Sequence, residues 1–251
     1  MNVDLSLIAA IAAIVCLAGI MQSAVGFAYA LFATPVLVWM GVPLPVTIAI
    51  VSTCAFVQAS LGARHLVADV PWRLAGVTVV SRLATTIVGV FILGMLSTLS
   101  VDAIKLVVGC VLCLSVGIQF AARPRAAAKL HWAWGALAFS ASGLLAGTCG
   151  MGGPPLVIWA LAHDWSSERT RGFLFAVFAA SIPIQISLLY MMFGVDILWG
   201  AAIGLLLGPA VMLGTVVGLH LGKQISKPML CRIAYAILLV IGLNCFFSSI
   251  L

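Results

Sequence analysis

One arginine in this chain stands where a charge is hardest to keep. Arg82 lies 11 residues past Pro71 inside the long apolar stretch 71–96. On a helix that is about 17 Å of depth, near the middle of a hydrocarbon core of roughly 30 Å. An arginine there costs roughly 2.5–3.5 kcal/mol even on the lenient insertion scale. No carboxylate shares its depth: Asp4, Asp69, Asp102, Asp164, Glu168 and Asp196 all fall near segment ends. An unpaired guanidinium suits an oxyanion, whose oxygens accept its forked N–H groups. The competing reading is a structural arginine bonded to unwound backbone carbonyls at a hairpin tip.

A second feature points to the same chemistry. The run Gly147-Thr148-Cys149-Gly150-Met151-Gly152-Gly153-Pro154-Pro155 interrupts an apolar segment. Glycines let a backbone turn sharply, and proline is well tolerated in the first turn of a helix. A half-helix starting near Pro154 would aim its positive end at the turn, and free N–H groups plus the dipole make an anion site. Gly150, Met151, Gly152 and Gly153 are therefore candidate substrate contacts. The first half repeats the idea less strictly at Gln22-Ser23-Ala24-Val25-Gly26-Phe27-Ala28-Tyr29, which adds Ser23, Gly26 and Phe27. Gly19 and Gly143 read instead as packing glycines, since small residues let membrane helices approach closely. Gln58 and Gln185 are polar residues within apolar helices; they either bond substrate oxygens or bond neighbouring helices.

These residues need elements to hold them. The apolar stretches fall at 5–21, 23–41, 43–61, 71–96, 102–120, 132–147, 154–162, 172–193, 197–221 and 228–250. Several are long enough to cross a bilayer, which takes about 20 helical residues. The pair 132–147 and 154–162 is too short for two crossings and predicts a re-entrant hairpin. The depth of the N-terminal pair is ambiguous. Basic residues cluster in alternate loops, at Arg64 and Arg73, at Arg123, Arg125 and Lys129, at Arg169 and Arg171, and at Lys223, Lys227 and Arg232. Placing those loops in the cytoplasm threads the chain consistently, with both termini outside. Trp39, Trp72, Trp132, Trp165 and Trp199 fall at segment ends as an interfacial belt.

The two halves match. Gly19, Ser23, Gly26 and Ala28 have the spacing of Gly143, Gly147, Gly150 and Gly152 at an offset of 124 residues. Gln58 with Gln185, Asp69 with Asp196 and Trp72 with Trp199 follow at an offset of 127, where Arg82 meets Pro209. Each half is a broken pair followed by three long helices, an odd number of segments, so the repeats are expected to be inverted across the membrane. The expected fold is an all-α polytopic membrane protein: repeat one over 1–120, a basic cytoplasmic linker at 121–131, and repeat two over 132–251. Inverted repeats with interrupted segments at matching positions mark secondary transporters, which bind substrate at the repeat interface.

Composition supports the membrane class. Of 251 residues 64% are hydrophobic and 7% charged, with a mean hydropathy of +1.28, against roughly a quarter charged in soluble domains. The +6 formal charge follows the positive-inside pattern, not a nucleic-acid stripe. Seven cysteines, Cys110 and Cys113 among them, lie almost entirely in apolar stretches and do not make a disulfide framework. The four histidines fall at loop edges. The sequence has no His-Glu-x-x-His zinc motif, no P-loop and no paired intramembrane carboxylates, so an enzyme, a bound metal or a cofactor is not expected. The start of the chain lacks the positive region of a secretory signal.

The glycine-rich segment 143–155, with its weaker echo at 19–35, resembles the sulfite exporter TauE/SafE family over nearly the whole chain. Phe27, Ala28 and Tyr29 stand where the usual pattern has a glycine triplet. The resemblance implies a multi-pass protein of the bacterial inner membrane, moving sulfite or a small organosulfonate, with export as the expected direction. Uptake by the same fold, or an anion channel, are the alternatives. Proton coupling and a homodimer are both compatible with this composition, although no acidic residue is deeply embedded.

Overall fold

In the computed structural model the described residues are 5–25, 28–121, 130–224 and 227–247. They are all-helical. The first half holds α1 (Leu5–Val25), α2 (Tyr29–Trp39), α3 (Leu44–His65), α4 (Trp72–Leu96) and α5 (Val101–Ala121). The second holds α6 (Trp132–Cys149), α7 (Gly153–Leu161), α8 (Ser167–Phe193), α9 (Val195–Leu206), α10 (Gly208–Gln224) and α11 (Lys227–Phe247). Among the described residues five helices are long and apolar enough to cross a membrane, or six if α9 and α10 count as one bent span.

Local chemistry sets the boundaries. Ser166 caps α8, its hydroxyl accepting from the Arg169 N–H at 3.1 Å, with Glu168 in the first turn facing the helix dipole. The nine residues of α7 reach only about 14 Å, so α7 is a half-helix, as its sequence predicts. The stretch 197–221, expected as one continuous helix, is broken: α9 and α10 meet at a 47° bend. Pro209 explains the break, because it lacks an N–H for the Leu205 carbonyl and its ring clashes there. Trp39, Trp72, Trp132 and Trp199, expected at the membrane interfaces, are all exposed. Trp165 is half-buried and packs edge-on against Trp159 and beside His163. The basic linker residues Arg123, Arg125 and Lys129 lie outside the described residues.

Helix pairing follows the small residues. α4 lies on α6 and α1 on α10, the two most extensive contacts. A Cβ on Gly147 would meet the Thr86 carbonyl, one on Gly143 would meet the Arg82 carbonyl, and one on Gly19 would sit 2.9 Å from the Val211 carbonyl. Gly19 and Gly143 are thus packing glycines. α3 and α8 lie against each other at the centre, and α5 against α11 at the side. Outer faces carry exposed Val80, Phe91, Leu114, Leu206 and Leu213, as expected for surfaces that meet lipid. Gly147→Ala should lower the melting temperature by the equivalent of about 1–3 kcal/mol of overpacking. Gly76→Ala and Gly117→Ala, where nothing stands within 4 Å, should leave it unchanged or raised; thermal unfolding of the three purified variants checks the contrast.

Candidate anion-binding site

Arg82 is 3% exposed and sits where α4, α6 and α8 converge. Its Nε donates to the Ser142 hydroxyl of α6 at 3.1 Å, and its Nη1 donates to the Ser181 hydroxyl of α8. Each serine has one proton, and each spends it on a carbonyl. Ser142 donates to Gly152 at 2.5 Å and Ser181 to Val177 at 2.6 Å. Both hydroxyls can therefore only accept from the guanidinium, which fixes its orientation. The Phe178 ring covers one face of the guanidinium at 5.2 Å. Among the described residues the one ion pair is Lys105 with Asp102, so Arg82 has no counter-charge there. Nη2 makes no hydrogen bond among those residues and stands 3.0 Å from where a Cβ on Gly152 would be.

The α6–α7 turn lies beside it. α6 ends on Gly150, whose φ of 72° is left-handed, a conformation that suits glycine. Gly150 and Met151 return their N–H groups to Ala146 and Leu145. α7 then starts at Gly153 with Gly152 as its cap residue. The prolines at 154 and 155 have no N–H to offer, so the dipole alone does not define the donors. The free donors are the neighbouring N–H groups of Gly152 and Gly153, neither of which makes a bond outside its helix. Together with Nη2 they form a patch of donors lacking an acceptor.

This patch opens on a cavity of about 640 Å³. Arg82, Gly150, Met151, Gly152, Gly153 and Gln185 line it, and so do Ser23 and Gln58 from the other wall. The sequence-predicted residues that are described thus share one cavity; Gly26 and Phe27 lie outside the described residues. Both glutamines also bridge helices. Gln185 Nε2 donates to the Ala146 carbonyl at 2.9 Å. Gln58 Nε2 donates to Thr215 at 2.8 Å and to Ser23 at 3.4 Å. Thr215 commits its proton to the Val211 carbonyl, so the amide nitrogen of Gln58 must be the donor to it. In the first half Ala28, which precedes α2, takes a left-handed φ of 103° where its offset partner Gly152 has −75°, and Gln22 accepts from the Tyr29 N–H at 3.0 Å.

Sequence reasoning missed Ser142, Ser181 and Phe178. Both serines are small polar residues deep in apolar helices, which is a weak signal. They gain meaning only once α6 and α8 are known to flank Arg82.

The chain can now be set beside known proteins. The sulfite exporter TauE/SafE family matches residues 11–245. The chain belongs to that family. A relative in Cupriavidus necator, described as a probable sulfite/organosulfonate exporter TauE, is 25% identical over 236 residues, covering 91% of this chain and 90% of the relative. No solved structure matches. Membership makes this a multi-pass membrane protein of a transporter family, located in bacteria at the inner membrane.

For this member of the TauE/SafE family, the two turn glycines should separate by substitution. A Cβ on Gly152 would meet the Ser142 carbonyl and crowd Arg82, whereas Gly153 has nothing within 4 Å. Gly152→Val should lower both melting temperature and anion affinity. Gly153→Val should keep the melting temperature and weaken affinity about tenfold or more, the worth of a charge-assisted hydrogen bond. Differential scanning fluorimetry and calorimetric titration with ethanesulfonate measure both.

Proposed function

We propose that this protein is a secondary transporter that binds a sulfonate-type anion at Arg82 and the Gly152–Gly153 turn and exports it from the cytoplasm. The observation that carries this reading is the buried guanidinium without a counter-charge, one nitrogen of which remains unbonded beside two free backbone N–H groups. Such a constellation is a poor structural device, because serines alone do not neutralise a desolvated cation. It is a good receptor for tetrahedral oxyanions, since a fork and two amides can meet several oxygens at once. The cavity has room for roughly twenty waters at about 30 Å³ each, far more than sulfite alone requires. Phe175, Phe178 and Met212 line it, which favours a small organosulfonate with an apolar body. The relative's name as a sulfite/organosulfonate exporter supports the same class and direction.

The transport mode rests on the repeats, 1–120 and 132–251, inverted across the bilayer. Exchanging α1 with α6, α3 with α8, α4 with the α9–α10 pair and α5 with α11 preserves the main packing partners. α1 on α10 becomes α6 on α4, while α3 on α8 and α5 on α11 exchange with themselves. That relation supports a carrier with its site at the repeat interface.

Arg82 substitutions test the reading. Both serines keep their carbonyl acceptors without Arg82, so Arg82→Gln should fold and accumulate, with a melting temperature equal to or above the parent's once a desolvated charge is removed. Its sulfonate binding should be lost. Arg82→Lys keeps charge without the fork and should bind about tenfold to a hundredfold more weakly. Unchanged affinity in a stable Arg82→Gln protein would overturn the assignment.

A further inference from the structure

The cavity is lopsided about the offset that relates the two halves, and its asymmetry points to a second, closed passage. α3 and α8 run antiparallel along it: the Phe175 ring lies on Gly62, and a Cβ on Gly172 would stand 3.3 Å from the Leu66 carbonyl. At the 127-residue offset, Val51 matches Phe178, Ala55 matches Ile182 and Gln58 matches Gln185, and all six line the cavity. That central section is shared equally by both halves. Beyond it the cavity continues in one direction only, past Gly62, Leu174 and Phe175 toward His65 and Arg171 at the basic-loop end. The offset partners of Gly62, Leu174 and Phe175 are Leu189, Thr47 and Ile48. Each of those three is 0% exposed, and Ile48 and Leu189 belong to one buried apolar cluster. On one side Gly62, Leu174 and Phe175 line the cavity, with Leu174 8% exposed and the Phe175 ring laid on Gly62; on the other their partners are fully buried and do not line it.

We propose that Thr47, Ile48 and Leu189 form the outer gate of this transporter, closed here, and that it opens when the passage at Gly62, Leu174 and Phe175 closes. The proposal rests on the inverted-repeat reading above. Two arrangements of one packed interface, related by exchange of the repeats, provide the bistable element that alternating access requires. The anion site is mechanically tied to the gate. A Cβ on Gly150, in the same turn as Gly152, would stand 3.2 Å from Ile48 Cγ1, so a shift of the turn on anion binding presses directly on a gate residue.

Thr47 and Leu174 are offset partners, which makes Thr47→Cys and Leu174→Cys a matched pair. Each is reacted with a membrane-impermeant maleimide in right-side-out and inside-out vesicles, and labelling is scored as the increment over the parent chain. Anion binding and flux are measured on the same preparations with ethanesulfonate. The expected result is labelling of Leu174→Cys from the cytoplasmic face and of Thr47→Cys from the opposite face. Saturating ethanesulfonate should move the two rates in opposite directions, each by about threefold or more. Flux with no labelling of Thr47→Cys under any condition would overturn the gate while leaving the anion reading standing. Rates that rise together would overturn alternation in favour of a continuous pore. Absence of binding and flux in the parent would defeat the transporter reading itself, an outcome distinct from either.

Discussion

A guanidinium taken out of water, with no counter-charge among the described residues, is the constraint around which this membrane protein is arranged. Its desolvation is offset in part by two hydroxyl acceptors and an aromatic face. Ser142 and Ser181 hold the group in place but supply no negative charge. The glycines of α6 follow from the same demand: Gly143 and Gly147 let α6 lie against the backbone of α4, which brings Ser142 and the α6–α7 turn up to Arg82. A single hydroxyl then joins two parts of the site, since Ser142 accepts from Arg82 and donates to Gly152. Guanidinium and turn are therefore linked through one side chain.

The half-helix α7 adds to this field in a particular way. A helix start ordinarily offers several free N–H groups, but the two prolines remove their share and pin the backbone instead. Donors are confined to Gly152 and Gly153, which line the same cavity as Arg82, and the absence of side chains there leaves their N–H groups uncovered. Rigidity and access come from neighbouring positions in one five-residue run, Met151 to Pro155.

Much of this was legible in the sequence because lipid imposes simple rules. Length and hydropathy located the helices, the depth of Arg82 singled out a residue that is buried and lines the cavity, and the glycine–proline run marked the turn within one residue of where α7 begins. The two prolines that follow the run also set the turn glycines at 150 and 152 apart from the packing glycines at 19 and 143. What sequence could not supply was adjacency. Ser142 and Ser181 are unremarkable until α6 and α8 are placed beside α4, and that placement depends on contacts between helices far apart in the chain. The bend at Pro209 was hidden by continuous hydropathy, which reports the solvent and not the backbone path. Trp165 read only as an interfacial ring, and its packing on His163 and Trp159 rests on contacts that spacing does not show.

The central claim is that the free edge of Arg82 and the Gly152–Gly153 amides hold the anion together. A structure of the protein with 2-bromoethanesulfonate, located by the anomalous signal of bromine, tests it most directly. The sulfonate oxygens should lie about 3 Å from Arg82 Nη2 and from at least one of the two glycine nitrogens, with the bromoethyl group toward Phe178. Bromine and sulfonate density confined to the mouth beside Arg171, with Arg82 contacting only its serines, would contradict the account.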